Sequence, residues 1–452
     1  MKQSLTEGAI ATQLFKLTLP MVWGIFAIVA FNLADTYYVG QLGTNQLAAM
    51  SFTFPVVMTL GSLAMGLGIG ASSIIARAIG QGDLSRVQRF TTNSLTLGVA
   101  AVTLLSTIGL LTIDPLFKAL GAGPDVLPYV RQYMEIWYFG MVCLVIPMVG
   151  NNAIRASGDT LTPSLIMTVS AVVNVILDPL LIFGLGGFPE WGLAGAAWAT
   201  VIARALTLVA SLSILKFKEQ MLASHFPSLE ETFLCWRDIL YVGLPAAGTS
   251  MITPISTGIV TSLLAVHGTV AVAGFGVASR VESFALIPLM ALAASISPFV
   301  GQNWGAGKYG RVTKALQQSY LFCLGWGVFT AIILASGASL IVPLFNQDPA
   351  VTEIATIYFI LVPISYGAAG IIQITNSVLN ALGKPMPAVV ITILRMVVLY
   401  IPLAYLGSRW LGPTSIFIAA TITNVVVGFG AREWSRRACI GKTAVKADLV
   451  NV

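Results

Sequence analysis

The sequence predicts an all-α polytopic membrane protein with twelve transmembrane helices. The chain has 452 residues, of which only 9% are charged and 56% are hydrophobic. Soluble domains carry about 25% charged and roughly 45–50% apolar residues, so these side chains cannot cover the surface of a soluble protein of this length. The composition therefore excludes a soluble enzyme, a nucleic-acid-binding protein and a disordered chain.

Twelve apolar stretches follow one another between short polar or glycine- and proline-containing breaks. Each is close to the length of about 20 residues that a helix needs to cross the hydrocarbon core. Their apolar character runs all round the helix, as in helices that face lipid, without the alternation that a membrane barrel requires. The predicted spans lie near 14–40, 47–76, 93–113, 133–155, 161–184, 192–215, 240–266, 272–300, 318–343, 354–382, 385–407 and 413–434.

The distribution of basic residues predicts the orientation. With the N-terminus in the cytoplasm, most Lys and Arg side chains fall on the cytoplasmic side, and only Lys118, Arg131 and Arg409 fall outside. This bias is what the positive-inside rule requires. It accounts for the net charge of +6, so the positive charge does not indicate binding to nucleic acid. We therefore expect a multi-pass protein of the bacterial cytoplasmic (inner) membrane with both termini in the cytoplasm, its first span serving as an uncleaved insertion signal.

The chain repeats itself at one fixed offset, which predicts two six-span halves. Parallel repeats of this kind are a transporter architecture with the substrate site between the halves. We assign 1–215 to an N-lobe with spans 1–6, 216–239 to a cytoplasmic linker, 240–434 to a C-lobe with spans 7–12, and 435–452 to a cytoplasmic tail. Among the matches at this offset are Leu19-Pro20 with Leu244-Pro245, Gly43-Thr44 with Gly268-Thr269, and Arg86-Val87 with Arg311-Val312.

Motifs for metal, nucleotide or enzymatic chemistry are absent from the sequence. The four cysteines form no CxxC spacing, and the two histidines are isolated, so no disulfide framework or metal site is indicated. The glycine-rich loops IGQGDLSRVQR and GAGKYGRVTK lack the GxxxxGK[ST] pattern. Without a nucleotide site, a cofactor or a nucleophile–base pair, we predict a transporter rather than an enzyme, driven by an ion gradient.

Six charged residues fall inside the predicted spans away from their ends, where each costs at least about 2.5–3.5 kcal/mol on insertion scales. Such residues face an internal cavity or a partner rather than lipid, so each of them is expected to have a functional or a structural role. They are Asp35, Asp178, Arg204, Arg280, Glu282 and Arg395.

We predict that Asp35 in span 1 and Asp178 in span 5 bind the coupling ion. Asn174 lies one helical turn before Asp178 and projects from the same side of the helix, and Pro179 frees a backbone carbonyl nearby. Neither aspartate has an acidic counterpart in the second repeat. A carboxylate in a low-dielectric cavity favours its protonated form and can carry a proton; with asparagine oxygens it can instead coordinate Na⁺. The alternative is a pair of buried structural aspartates, tied down by hydrogen bonds or by an arginine.

Glu282 in span 8 is the competing acid. Arg280 is two residues away and does not face it, whereas Arg395 in span 11 is able to reach it. We expect a structural ion pair between Glu282 and Arg395, with a coupling or substrate role for Glu282 as the alternative.

Two further polar residues and two helix-weakening residues complete the predicted site. Asn151 closes span 4, and Tyr133 precedes it by five helical turns, which places both on one face. We expect both to support the Asp178 network, although Tyr133 also fits an interfacial tyrosine. Pro20 and Gly24 are the predicted hinge of span 1.

The motifs resemble those of the multidrug and toxic compound extrusion (MATE) transporters over essentially the full length. They are NLADTYYVGQLG in span 1, LAA after it and RASGDTLTP after span 4. Asp35, Asn174 and Asp178 in the first half resemble the DinF branch, which places its coupling carboxylates in the N-lobe. The other large bacterial branch uses acids in spans 7 and 8, where this chain offers only Glu282. The resemblance implies a V-shaped pair of bundles that exports hydrophobic, often cationic compounds in exchange for H⁺ or Na⁺.

The resulting hypothesis is a multidrug efflux antiporter, monomeric in the bilayer, with small-molecule drugs or toxins as substrates. Protonation of Asp35 and Asp178, or Na⁺ binding there with Asn174, would bend span 1 at Pro20 and Gly24 and expel substrate. The alternative is a flippase for a lipid-linked saccharide or a phospholipid. That function requires a cavity rich in arginine and lysine, and only three arginines lie within the spans away from their ends.

Overall fold

The computed structural model describes residues 5–224, 228–345 and 347–450, with the side chains of 411 and 439–450 left out of the description. Within these residues the chain is helical and contains no strand. The first half comprises α1 (Ile10–Gly40), α2 (Thr44–Gln81), α3 (Leu84–Ala119), α4 (Leu127–Ala156), α5 (Leu161–Phe183) and α6 (Leu193–Ser213), which continues as a π-helical turn (Ile214–Lys218).

The second half begins with α7 (Leu229–Ala265) and contains more interrupted helices. They are α8 (Thr269–Ala285), α9 (Ile287–Gly305), α10 (Tyr309–Ile341), α11 (Pro349–Leu361), α12 (Tyr366–Ala381), α13 (Pro385–Ile393), a π-helical segment (Leu394–Tyr400), α14 (Ile401–Leu411) and α15 (Thr414–Val450). Short 3₁₀ turns occupy Leu185–Gly187, Val342–Leu344 and Pro363–Ser365.

The predicted twelve spans are confirmed by the length and composition of these helices. Among the described residues, eleven helical runs are long and apolar enough to cross a membrane, and α8 with α9, bent by 43°, makes the twelfth. The helices extend beyond the apolar stretches because a helix continues into the polar interface. Thus α3 begins at Leu84 rather than near 93. Asp83 caps this start of the helix, because its side chain accepts a hydrogen bond from the Arg86 backbone N–H at 2.9 Å.

The chain divides into two compact units. Unit 1 contains Trp23–Ala247, and unit 2 contains Ser4–Val22 together with Gly248–Val452. Helices α1 and α7 each pass from one unit to the other, after Val22 and after Ala247. The offset between these two positions is the offset of the sequence repeat, so the crossing follows the repeat.

Equivalent helices pack together inside each unit, which confirms the two pseudo-symmetric bundles. In unit 1, α4 packs against α2, α3 and α6, and α5 packs against α6. In unit 2, α12 packs against α9, α10 and α15, and α14 packs against α15. Gly195 allows α6 to approach α5, because a Cβ at this position would lie 2.2 Å from the Leu181 carbonyl oxygen.

Candidate functional site

A buried carboxylate network joins α5 to α6 in unit 1. Asp178 is fully buried and Asn174 is 3% exposed. One orientation of the Asn174 amide satisfies both of its neighbours. In it, the nitrogen donates to the two Asp178 carboxylate oxygens at 3.1 and 2.8 Å, and the oxygen accepts from the Thr200 N–H and hydroxyl, both at 3.2 Å. The network therefore holds Asp178 against α6 through neutral groups alone.

Asp35 lies on α1 in the same unit and is half-buried. It stands five residues before the end of α1, as Asp178 stands five residues before the end of α5, and the charges of the two carboxylates interact. Within the described residues neither aspartate forms an ion pair with Lys or Arg. Two nearby carboxylates without a basic partner favour the uptake of a proton or another cation.

The structure separates the two supporting residues that the sequence analysis placed together. Tyr133 is buried on α4 and interacts electrostatically with both Asp35 and Asp178. Asn151 lies near the opposite end of α4. The five turns between them put both on one face but also about 27 Å apart along the axis, at a rise of about 1.5 Å per residue. The prediction that Asn151 supports the Asp178 network is therefore wrong.

Thr200 is the network member that the sequence analysis missed. It lies on α6, the α-helix that follows α5 along the chain, and its N–H donates to the Asn174 amide oxygen in the orientation described above. Threonine is common in apolar helices, where its hydroxyl often bonds to the preceding turn. Its position in the run AWATVIARA gave no signal that could have singled it out.

The predicted hinge residues flank the point where α1 passes from unit 2 to unit 1. Pro20 precedes this point and Gly24 follows it, and α1 is one uninterrupted helix across both. Gly24 also has a packing role, since a Cβ there would lie 3.0 Å from the Ser164 Cα on α5. Glycine thus lets α1 lie close to the helix that carries Asp178.

Unit 2 contains a second polar site, a cavity of about 460 Å³ that both Glu282 and Arg395 line. The Tyr358 hydroxyl donates to Glu282 Oε2 at 2.6 Å, and Arg395 Nε donates to Asn424 Oδ1 at 2.8 Å. The predicted ion pair between Glu282 and Arg395 is wrong, because no nitrogen–oxygen pair of these two described residues lies within 4.0 Å. Each group finds a neutral partner instead, on α11 and α15 respectively.

No group of three or more His, Cys, Asp or Glu side chains among the described residues could hold a metal ion. The oxygens of Asp35, Asp178 and Asn174 are nevertheless of the hard type that Na⁺ accepts. In the amide orientation described above, the Asn174 oxygen faces Thr200 and not the carboxylates. Na⁺ coordination by all three residues would require this amide to turn over.

Comparisons with known proteins identify the family. The MatE family model matches residues 20–180 and again 245–406, once in each half. The chain is 39% identical to the FAD transporter of Shewanella oneidensis, over 99% of both chains. It is 26% identical to the probable multidrug resistance protein NorM of Thermotoga maritima, over 97% of this chain and 96% of that protein.

A solved structure shows the same fold. The crystal structure of the Vibrio cholerae MATE transporter VcmN carrying the substitution D35N is 31% identical in sequence, with a TM-score of 0.91 over 96% of this chain and 98% of that one. The family model, the relatives and this structure agree over nearly the whole length. The chain belongs to the MatE family of membrane transporters.

Proposed function

We propose that the protein is an ion-coupled antiporter that exports small organic molecules, with Asp35 and Asp178 as its coupling carboxylates. The observation that carries this proposal is the network of unit 1, in which Asp178 accepts hydrogen bonds from the Asn174 amide and its charge interacts with that of Asp35, while neither carboxylate has a basic partner among the described residues. Relatives named for multidrug resistance support drugs as one substrate class. The N-lobe position of both acids supports the DinF-like branch.

The Asn174 orientation favours H⁺ over Na⁺ as the coupling ion. In the amide orientation that satisfies both neighbours, its N–H groups point at Asp178, and N–H donors stabilise a carboxylate but cannot ligate a cation. Turning the amide to present its oxygen would break the hydrogen bond that it accepts from the Thr200 N–H. A proton needs no such rearrangement, since it binds directly to a carboxylate oxygen.

Protonation would drive transport by changing the charge at the end of α1. Adding a proton to Asp35 or Asp178 removes the repulsion between the two carboxylates. The helix that carries Asp35 passes between the units beside Pro20, where the missing backbone hydrogen bond makes bending easier. The proton shifts the equilibrium only if it binds one conformation more tightly than the other.

The test is ethidium efflux from proteoliposomes with a pH gradient or a Na⁺ gradient imposed separately. Asp35→Asn and Asp178→Asn are expected to abolish gradient-driven efflux, and a Na⁺ gradient alone is expected to drive none. The matched control is Asp114→Asn, because Asp114 lies on α3 of the same unit and pairs with Arg131. Full efflux by both aspartate variants at normal protein levels would overturn the proposal, as would loss of coupling in Glu282→Gln alone.

A second candidate substrate is FAD. It is favoured by the relative named as an FAD transporter, which matches at 39% identity over nearly the whole chain. The same vesicles, loaded with FAD or ethidium in parallel, decide between a flavin exporter and a multidrug exporter. Gradient-driven release of FAD without release of ethidium would identify flavin export as the main activity.

A further inference from the structure

The cavity of unit 2 contains an arginine, Arg395, that is held in place and forms no ion pair within 4.0 Å among the described residues, although the charge of Glu282 in the same cavity acts on it from a longer distance. Arg395 Nε donates to Asn424 Oδ1 at 2.8 Å, and Asn424 Nδ2 donates in turn to Ser365 Oγ at 2.9 Å. This chain of two hydrogen bonds fixes the guanidinium from its Nε side. Its two terminal nitrogens have no protein acceptor within the described residues.

A charged group in a membrane span is costly unless something compensates its charge. Glu282 lines the same cavity, but its carboxylate is bound to Tyr358 and lies beyond ion-pair distance of Arg395. The terminal nitrogens therefore remain available to an anion that enters the cavity. A guanidinium presents parallel N–H donors that match two oxygens of a phosphate.

The remaining walls suit a planar ring with polar edges. Phe275, Tyr358 and Tyr400 contribute aromatic surface, and the ring centroids of Phe275 and Tyr358 are 6.0 Å apart. The Gln373 amide lines the cavity without a hydrogen bond inside the described part of the chain, so it can both donate and accept. The volume of about 460 Å³ falls within the range of about 300–1,000 Å³ that small-molecule sites occupy.

The repeat shows that this cavity has no copy in unit 1. At the offset that carries Leu19 onto Leu244, Ser170 corresponds to Arg395 and Val57 corresponds to Glu282. The helices around these positions are repeated, yet the charges are not. The arginine and the glutamate are therefore not requirements of the shared bundle packing.

We infer that the cavity of unit 2 binds a phosphate-bearing organic anion with a planar hydrogen-bonding ring, and that Arg395 contacts its phosphate. This inference rests on the proposed exporter function and names a substrate class for it. A dinucleotide such as FAD supplies phosphate and ring in one molecule, whereas an anionic phospholipid supplies the phosphate without the ring.

The test is equilibrium binding to the purified full-length protein, with flavin fluorescence anisotropy as the readout. FAD and riboflavin are compared because riboflavin has the same ring and no phosphate. Arg395→Gln is expected to weaken FAD binding by about tenfold or more while changing riboflavin binding less than twofold. Arg395→Lys should recover part of the FAD affinity, since it keeps the charge but loses the bidentate geometry.

The matched control is Arg280→Gln, which removes an exposed arginine from α8 and should leave both affinities unchanged. Size-exclusion profiles establish that each variant is folded.

Equal loss of FAD and riboflavin binding, or unchanged FAD binding in Arg395→Gln, would overturn the inference. It would also be wrong if only phosphatidylglycerol in nanodiscs, and not FAD, bound in an Arg395-dependent manner. No gradient is applied, so this result is independent of the coupling role of Asp35 and Asp178.

Discussion

The two units share a helix arrangement and differ in the chemistry that it carries. Unit 1 contains Asp35 and Asp178, of which Asp178 is bound by the Asn174 amide, and neither has a basic partner among the described residues. Unit 2 contains Glu282 and Arg395 in one cavity, each bound to a neutral side chain. Neither set of charges is repeated at the equivalent positions of the other unit.

From this difference we propose that the two repeats have different roles. Helix packing depends on small residues and apolar surfaces, which tolerate few changes, so duplication preserves it. Cavity-lining charges contribute little to packing, and they can diverge once each unit needs only one role. We assign ion coupling to unit 1 and anion recognition to unit 2, and the following variants test that assignment from the largest expected effect to the smallest.

The test with the largest expected effect replaces one asparagine in each unit by leucine. Asn174→Leu is expected to lower pH-driven ethidium efflux by about tenfold or more, because a hydrogen bond to a charged group contributes about 1.5–3 kcal/mol. Asn424→Leu is expected to weaken FAD transport more than ethidium transport, because it releases the guanidinium of Arg395. Efflux rates of both substrates provide the measurement. The assignment would be reversed if Asn424→Leu abolished the pH dependence and Asn174→Leu did not.

The second test concerns the prolines beside the two crossing points. Pro20→Ala restores a backbone donor and stiffens the helix that carries Asp35, so export is expected to slow by about fivefold. Pro245→Ala makes the same change in α7, where Val260 occupies the position equivalent to Asp35, and should slow export less than twofold. Initial efflux rates under a fixed pH gradient measure both. Equal effects of the two variants would argue that bending of α1 has no special link to protonation.

The smallest effect is expected at the loops that follow the fourth span of each repeat. In unit 1, Lys218 Nζ donates to Asp159 Oδ2 at 2.6 Å, and Thr162 donates through its hydroxyl and its backbone N–H. Burial acts to raise the pKa of Asp159, but the hydrogen bonds from Lys218 and Thr162 outweigh it and hold the pKa below its usual value. In unit 2 the position of Asp159 is occupied by Lys384, whose Nζ donates to the Ala438 carbonyl oxygen at 3.5 Å and lies 6.0 Å from the centre of the Trp304 ring.

Lys218→Met is therefore expected to lower stability by at most about 1 kcal/mol, since the pair is partly exposed. A carboxyl with a lowered pKa stabilises the fold above the pKa of the unfolded state, and this contribution is lost as pH falls through the lower pKa of the folded state. The difference from wild type should thus be present at pH 7, begin to shrink below about pH 4, and be lost only at a pH below the lowered pKa of Asp159 in the folded state. Thermal midpoints in detergent at both pH values measure it, with Lys384→Met as the control that should show little pH-dependent difference. A constant difference for Lys218→Met at both pH values would contradict the role of Asp159.

By itself the sequence determined the membrane class, the twelve spans, the repeat and the identity of the unusual charges. These properties depend on local composition and on fixed offsets along the chain, so they can be read without coordinates. It also indicated the relation of Asn174 to Asp178, because four residues make about one helical turn.

Only the tertiary structure decided which partners meet across helices. The sequence predicted an ion pair between Arg395 and Glu282, yet Asn424 binds Arg395 and Tyr358 binds Glu282, from helices that no periodicity connects to them. It grouped Asn151 with Tyr133 by face and overlooked their separation along the axis, and it gave no reason to choose Thr200. A helical pattern fixes direction around an axis, whereas depth and packing between helices determine contact, and these depend on the three-dimensional arrangement of the whole bundle.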